Sequence, residues 1–332
     1  MESWTNACDV SMRFIGVAIT AALTLGLAAP ALAQWQPTEA VRIIVHTGPG
    51  SGADVFTRAV ADIVEKEKLL PVPIEVVNKP GGGGMVAINF AAEQKGNPHY
   101  LMSITNAFLS TPIRQMSDLN YEDFETVGVL AEDANAIQVN ADSAYKTLDD
   151  FVAAARANPK GVSIGVGSVG GTDHMIAYRL GEAIGAEFNT VAFDGGGKAV
   201  TALLGNHVDF VTGGPSETIG HIRANRIRVL AVFGDKRLNS LPDVPTLEDL
   251  GVRMSAHFAV IRGFVAPPET PKEVVDYYAT MLDNVSETPA WKEFMMKNDF
   301  VETNLGPAEM KSYVAKRNDD IASTLSEMGV VK

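Results

Sequence analysis

Val41-Arg-Ile-Ile-Val45 is followed by Gly48-Pro-Gly-Ser-Gly-Ala-Asp54, and then by an amphipathic run from Val55 to Lys68. The short apolar, β-branched segment reads as a buried strand, whereas Val55-Phe56, Ala59-Val60 and Ile63-Val64 recur at helical spacing. The glycine-rich stretch between them is therefore a turn from strand to helix. Such a turn leaves backbone N–H groups facing open space, with the positive end of the helix dipole behind them, which makes an anion site. Asp54 is placed to cap that helix.

The same alternation continues. Strand-like runs are Ile74–Val77, Tyr100–Ile104, Ala136–Val139, Val162–Val166, Thr190–Ala192, Phe210–Val211 and Val229–Val232, with helix-like runs between most of them. Thr147 caps Leu148–Ala157, and Thr270-Pro271-Lys-Glu273 reads as a capping box opening Glu273–Val285, after which the chain reads as helical to its end. Strand–helix alternation predicts an α/β fold with parallel sheets covered on both faces. The pattern breaks around Leu130–Ile137 and again around Met254–Val265. Two breaks imply two crossover strands between two lobes, 34–133 plus 258–332 and 134–257, hinged as a clamshell. No internal repeat is present.

Arg13, the unbroken apolar run Phe14 to Leu27 and Ala31-Leu-Ala33 form an export signal, with Met12 as a plausible start. The run is too short for a membrane span. Cleavage after Ala33 leaves Gln34 to Lys332, 299 residues, and places the product in the periplasm. The single cysteine, Cys8, is removed with the signal, which excludes disulfides and cysteine metal sites. The mature chain carries 26 Lys+Arg against 38 Asp+Glu. That acidity argues against nucleic acid and anionic membrane surfaces as partners, and an anionic ligand must be held by local amides and hydroxyls.

Gly48 to Ala53 fits a dinucleotide fingerprint, but the second strand ends in Asn78-Lys79-Pro80 without the acid that holds a ribose, so no nucleotide cofactor is expected. Ser163 in Gly161-Val-Ser-Ile-Gly165 sits within a strand, not on a nucleophile turn. The six histidines are scattered and none forms a metal-ligand pair. What remains is a set of strand-end loops, where open α/β sheets bind ligands. The first contributes Gly50, Ser51, Gly52 and Ala53, and the third strand is followed by Thr105 and Asn106. Ser168, Gly170, Gly171, Thr172 and His174 repeat the glycine-turn logic in the second lobe, joined by Asp194 and Gly214. His174 reads equally as a structural group in a first helical turn.

In this order, the loops resemble the substrate-binding proteins of tripartite tricarboxylate transporters, the Bug family. The matching stretches are Pro49-Gly-Ser-Gly-Ala-Asp54 with Arg58, Asn78-Lys-Pro-Gly-Gly-Gly-Gly84, Tyr121-Glu-Asp-Phe124, Gly167-Ser-Val-Gly-Gly-Thr-Asp-His174, Gly205-Asn-His-Val-Asp209 and Arg228-Val-Leu-Ala231 through Leu241-Pro-Asp-Val-Pro-Thr246. The resemblance implies a two-lobed, type II periplasmic-binding-protein-like clamshell. Its ligand would be a small organic carboxylate, clamped by backbone amides and water and delivered to a membrane permease of one large and one small subunit. A monomer without catalysis or cofactor is expected. The chain departs from many relatives at Phe193-Asp194-Gly195, where those have Tyr-Lys-Gly.

Two other readings share parts of this pattern: a periplasmic α/β hydrolase, and a binding protein that feeds a sensory receptor. The hydrolase needs a nucleophile at a strand end with a histidine in reach, which the loops do not offer. Processing is checked by the intact mass of the periplasmic fraction, which should match a chain beginning at Gln34. A membrane-bound chain retaining Phe14–Leu27 would reject it.

Overall fold

The computed structural model describes residues 35–332 apart from Asp194, Asp235, His257 and Lys332; the segment read as an export signal, with Met12 and Cys8, lies outside these. The first lobe begins with β1 (Val41–Val45), α1 (Gly52–Lys66), β2 (Ile74–Asn78), α2 (Met85–Glu93), β3 (Tyr100–Ile104), α3 (Ala107–Gln115) and β4 (Glu125–Asp133). The second comprises β5 (Ala136–Asn140), α4 (Leu148–Ala157), β6 (Ser163–Val166), α5 (Thr172–Ile184), β7 (Asn189–Ala192), α6 (Gly196–Leu204), β8 (Phe210–Gly213), α7 (Pro215–Arg223) and β9 (Ile227–Val232). The chain then returns through β10 (Val260–Ala266), α8 (Lys272–Glu287), α9 (Pro289–Lys297), β11 (Phe300–Leu305) and α10 (Pro307–Glu327).

The first sheet runs β11-β4-β10-β3-β1-β2 and the second β7-β6-β8-β5-β9. Both are mixed, which corrects the expectation of parallel sheets. β1 pairs parallel with β2 and β3, and β6 with β7 and β8. The strands that enter or leave a lobe, β4, β10 and β5, pair antiparallel. Those strands are not joined to their neighbours by right-handed helical crossovers, so the rule that makes βαβ units parallel does not govern them. β11 corrects the expectation of an all-helical C-terminal part. Asp299 turns the chain at φ 54°, and Phe300-Val-Glu-Thr-Asn-Leu305 pairs antiparallel with β4 as an edge strand.

Two capping assignments also change. Ser51 caps α1, accepting from the Asp54 N–H at 3.4 Å, so the helix opens at Gly52. Asp54 sits one turn inside, accepts from the Gly50 N–H at 2.8 Å and pairs with Arg58 at 3.0 Å and with the Asn78 amide at 2.8 Å. It binds the glycine turn to the helix that follows it and to the end of β2. At α8, Pro271 takes the cap position and Thr270 instead donates to the Pro267 carbonyl at 2.8 Å, so no capping box forms. The cap expected at Thr147 does form, and Asp150 completes it as a capping box.

The helical spacing of α1 buries Ala53, Phe56, Val60, Ile63 and Val64 against the first sheet. Phe56 is fully buried against Phe264 of β10 and Trp291 of α9, and removing its side chain from water contributes about 1.5–3 kcal/mol. α10 packs on β4 and α3 and reaches α5 of the other lobe. There Arg179 pairs with Glu327 at 2.6 Å and donates to Thr324 Oγ1 at 3.1 Å.

His46, just beyond β1, is buried and shares a hydrogen bond of 3.1 Å with Thr105 Oγ1. Burial, with Arg262 nearby, lowers its pKa to about 4. The unfolded chain takes up a proton near pH 6.5 that the folded chain refuses. Stability therefore falls as pH drops from about 6.5 towards 4, by up to about 1.4 kcal/mol per pH unit. Urea unfolding at pH 7, 6, 5 and 4 should show this slope flattened in His46→Gln. Parallel pH profiles for the two proteins would reject the assignment.

Candidate functional site

Both crossings between the lobes pass beside one cavity of about 310 Å³. The outward crossing is Ala134–Asn135, between β4 and β5, and the return runs from β9 to β10. Asn135 donates to the Phe258 carbonyl at 2.8 Å and so ties one crossing to the other. Asn106 donates to the Phe258 and Ala259 carbonyls at 3.3 and 3.2 Å and accepts from the Ile261 N–H at 3.4 Å. Behind these, Asp133 and Arg262 form an ion pair at 2.6 Å, each almost fully buried.

The second lobe supplies most of the wall. Three helices, α5, α6 and α7, begin at it, and each has glycine at its cap: Gly171, Gly195 and Gly214. The α5 and α6 turns are packed back to back. The Gly195 N–H donates to the Gly167 carbonyl at 3.0 Å, and a Cβ on Gly167 would lie 2.7 Å from Gly196 N. Gly170 has φ +71°, and a Cβ there would meet Arg114 Cδ at 2.7 Å. Asp173, half-buried in the first turn of α5, accepts from the Gly167 and His174 N–H groups. Burial pushes its carboxyl up, while those amides and Arg114 pull it back. Thr218 donates to Gln138 Oε1, Gln138 to the Gly213 carbonyl at 2.9 Å and Thr212 to the Asp173 carbonyl at 3.1 Å, so the wall is already internally bonded.

The first lobe closes the cavity with Gly83 and with Ala107, Ser110 and Arg114, which lie on one face of α3 at helical spacing. Arg114 reaches across and donates to the Val169 carbonyl at 3.1 Å. Burial lowers its pKa, but a guanidinium keeps its charge.

The predicted loop residues divide. Ser168, Gly171, Thr172 and Gly214 line the cavity. Gly52 stands beside it, where a Cβ would lie 2.8 Å from both Glu217 Oε1 and Arg262 Nη2. Gly50, Ser51 and Ala53 are not in the wall, and their turn is held by Asp54 and by Thr47, whose hydroxyl bonds Ser51. Thr105 and Asn106 lie behind the wall, on His46 and on the return crossing. Gly170 donates to His174 Nδ1 at 3.0 Å, which puts the His174 proton on Nε2; burial lowers its pKa, so the ring is a neutral brace. His174 instead faces a larger groove of about 630 Å³ on the outer side of the second lobe. Asp194 lies outside the described residues. Ser163 lies in β6 with its hydroxyl on Asp209 at 2.6 Å, away from the wall.

Arg114, Ser110, Asn135, Asp173 and Glu217 escaped the sequence reading as wall residues. Arg114 lay furthest out of view, on a helix in the lobe opposite the turn it touches. Only the 107/110/114 spacing after the third strand pointed to it.

Residues 56–329 match the family described as tripartite tricarboxylate transporter family receptor, TctC. The chain is 26% identical to Protein BugT of Bordetella pertussis, covering 96% of this chain and 97% of that protein. In fold it resembles an R. palustris protein solved with adipate (TM-score 0.78, 22% identity, covering 87% of this chain and 98% of that one). It also resembles MatC of Rhodopseudomonas palustris with bound malate (TM-score 0.74, 19% identity, 87% and 99% covered). With its two mixed sheets, paired crossings and glycine-capped cleft, the chain belongs to the tripartite tricarboxylate transporter receptor family.

Proposed function

We propose that this receptor is exported, is cleaved after Ala33, and captures a small organic carboxylate as a monomer in the periplasm, delivering it to a membrane permease of one large and one small subunit. The observation that carries the reading is the convergence of three glycine-capped helix starts from one lobe on a cavity that Arg114 enters from the other. Helix starts hold anions through unpaired N–H groups and the dipole, without needing a positive overall field. That suits a mature chain with 26 basic and 38 acidic residues. The adipate and malate bound to proteins of the same fold are small dicarboxylic acids of a size such a cavity accepts.

In this reading Ser168, Gly171, Thr172 and Gly214 seat the ligand carboxylate, and Arg114 supplies the charge at its edge. Gly50 to Ala53, Thr105, Asn106, Gly170 and His174 hold the loops in place. The moving bodies are 34–133 with 258–332 and 134–257. A ligand touching both favours the closed arrangement by its differential affinity for the two states. In this reading the captured acid leaves the cleft unchanged.

The test begins with a thermal-shift screen against dicarboxylates, tricarboxylates and aromatic acids. A ligand at 100 times its Kd raises stability by about 2.7 kcal/mol. Gly171→Val should then weaken the best ligand at least tenfold, about 1.4 kcal/mol, since even a Cβ would lie 2.6 Å from Ser168 Oγ and 2.9 Å from Asp173 Oδ1. Unchanged affinity in a folded Gly171→Val protein would remove the seat from this loop. Small-angle scattering should show a smaller radius of gyration with ligand than without. Superimposable profiles would mean a rigid, preformed site.

A further inference from the structure

Glu217 is the one acidic side chain of the cavity wall that has no hydrogen bond or ion pair among the described residues. It stands in the first turn of α7, where its own N–H bonds the Gly214 carbonyl at 3.1 Å. Its side chain is exposed and lines the cavity on the second-lobe side. The charged groups around it come from three elements: Asp133 of β4, Arg262 of β10 and Asp173 of α5. Arg262 is already committed to Asp133 at 2.6 Å. Asp173 is satisfied by backbone N–H groups.

Its position decides what it does. Glu217 Oε1 lies 2.8 Å from the point a Cβ on Gly52 would occupy. The protein's own carboxyl thus stands in front of the α1 turn, the first-lobe glycine turn that would otherwise offer a second anion seat. Arg114 is elsewhere in the wall, on Val169 and against Gly170. The cavity therefore has a cationic place at the α5 turn and an acidic place at the junction of Gly52, Glu217 and Arg262. A dicarboxylate whose far end reached Glu217 would bring a second anion against an unpaired carboxyl, a repulsion that grows as lobe closure displaces water between them. A ligand ending in an ammonium group would instead meet Glu217 with a charge-assisted hydrogen bond.

We propose that Glu217 is a specificity-determining residue that turns this receptor towards ω-amino carboxylates and away from dicarboxylates of the same length. The inference rests on the carboxylate-receptor reading above and narrows its ligand class. The closed complex seats the ligand carboxylate at Ser168–Thr172 beside Arg114, with the ammonium group donating to Glu217.

Calorimetry of the mature protein with two matched pairs tests it: 4-aminobutyrate against succinate, and 5-aminovalerate against glutarate. The wild type should bind the amino acid of the better-fitting pair at least tenfold more tightly than its dicarboxylate. Glu217→Gln keeps the shape and removes the charge, and should weaken the amino acid and strengthen the dicarboxylate until the preference is lost or reversed. Glu217→Ala, in a cleft-facing position, should do the same and guards against a local effect of the amide. The ligand-free melting temperatures of both variants report that they fold. Equal binding of both members of each pair by the wild type, or a preference unmoved by both variants, overturns the role of Glu217 while leaving a carboxylate receptor standing. A folded wild type that binds none of the four probes, nor any acid of the wider screen, overturns the receptor reading and this inference together.

Discussion

The buried pair between Asp133 and Arg262 is the contact on which the rest of the molecule turns. Asp133 ends β4, the last strand before the chain leaves the first lobe, and Arg262 lies in β10, the first strand after it comes back. One ion pair therefore holds the outgoing and returning strands in register where the lobes join. Both partners are nearly dry, and Ser216 of the second lobe donates to the same carboxylate at 3.3 Å. Removing one member of such a pair leaves the other charge stranded and typically costs about 3–5 kcal/mol. Asn106 and Asn135 add uncharged bonds to the same return segment. The passage between the two sheets is thus a bonded joint, and the cleft opens directly in front of it.

The chemistry of the cleft follows from how closely its turns approach one another. The α5 and α6 turns touch through Gly167 and Gly196, and Arg114 lies against Gly170, so side chains at these positions would push the helix starts apart. Bringing helix starts together concentrates the unpaired N–H groups and positive dipole ends that attract an anion in a protein whose net charge repels one. Asp173 makes the seat less simple. It is a carboxylate next to the proposed carboxylate seat, but its bonds all run backwards, to the Gly167 and His174 N–H groups. It organises the turn.

Much of this was legible along the chain. Five-residue apolar runs, helical spacing and glycine turns mark local geometry, and local geometry is set by residues close in sequence. β1, α1, β3 and α4 accordingly stand where their patterns put them, and two breaks in the pattern coincide with the passages between sheets. The pattern fails where another bond competes with the one it implies. β11 is a strand because β4 offers an open edge, and Thr270 is not a cap because the Pro267 carbonyl takes its hydroxyl. Asp54 looked like a cap by position, but the bonds that place it one turn inside come from Gly50, Arg58 and Asn78 together.

By itself, the sequence determined an α/β chain with strand-end loops rich in backbone donors, because strand and helix periods and glycine turns are written in neighbouring residues. It also carried enough family pattern to say what kind of protein this is. Only the tertiary structure decided which loops meet. The cleft lies between elements distant along the chain, Arg114 and Val169 being 55 residues apart, so nothing local could show that Arg114 crosses to Val169, that His174 turns its ring away from the cavity, or that Glu217 stands before Gly52. Side chains take their roles from their neighbours in space, and in a two-lobed protein those neighbours belong to the opposite lobe.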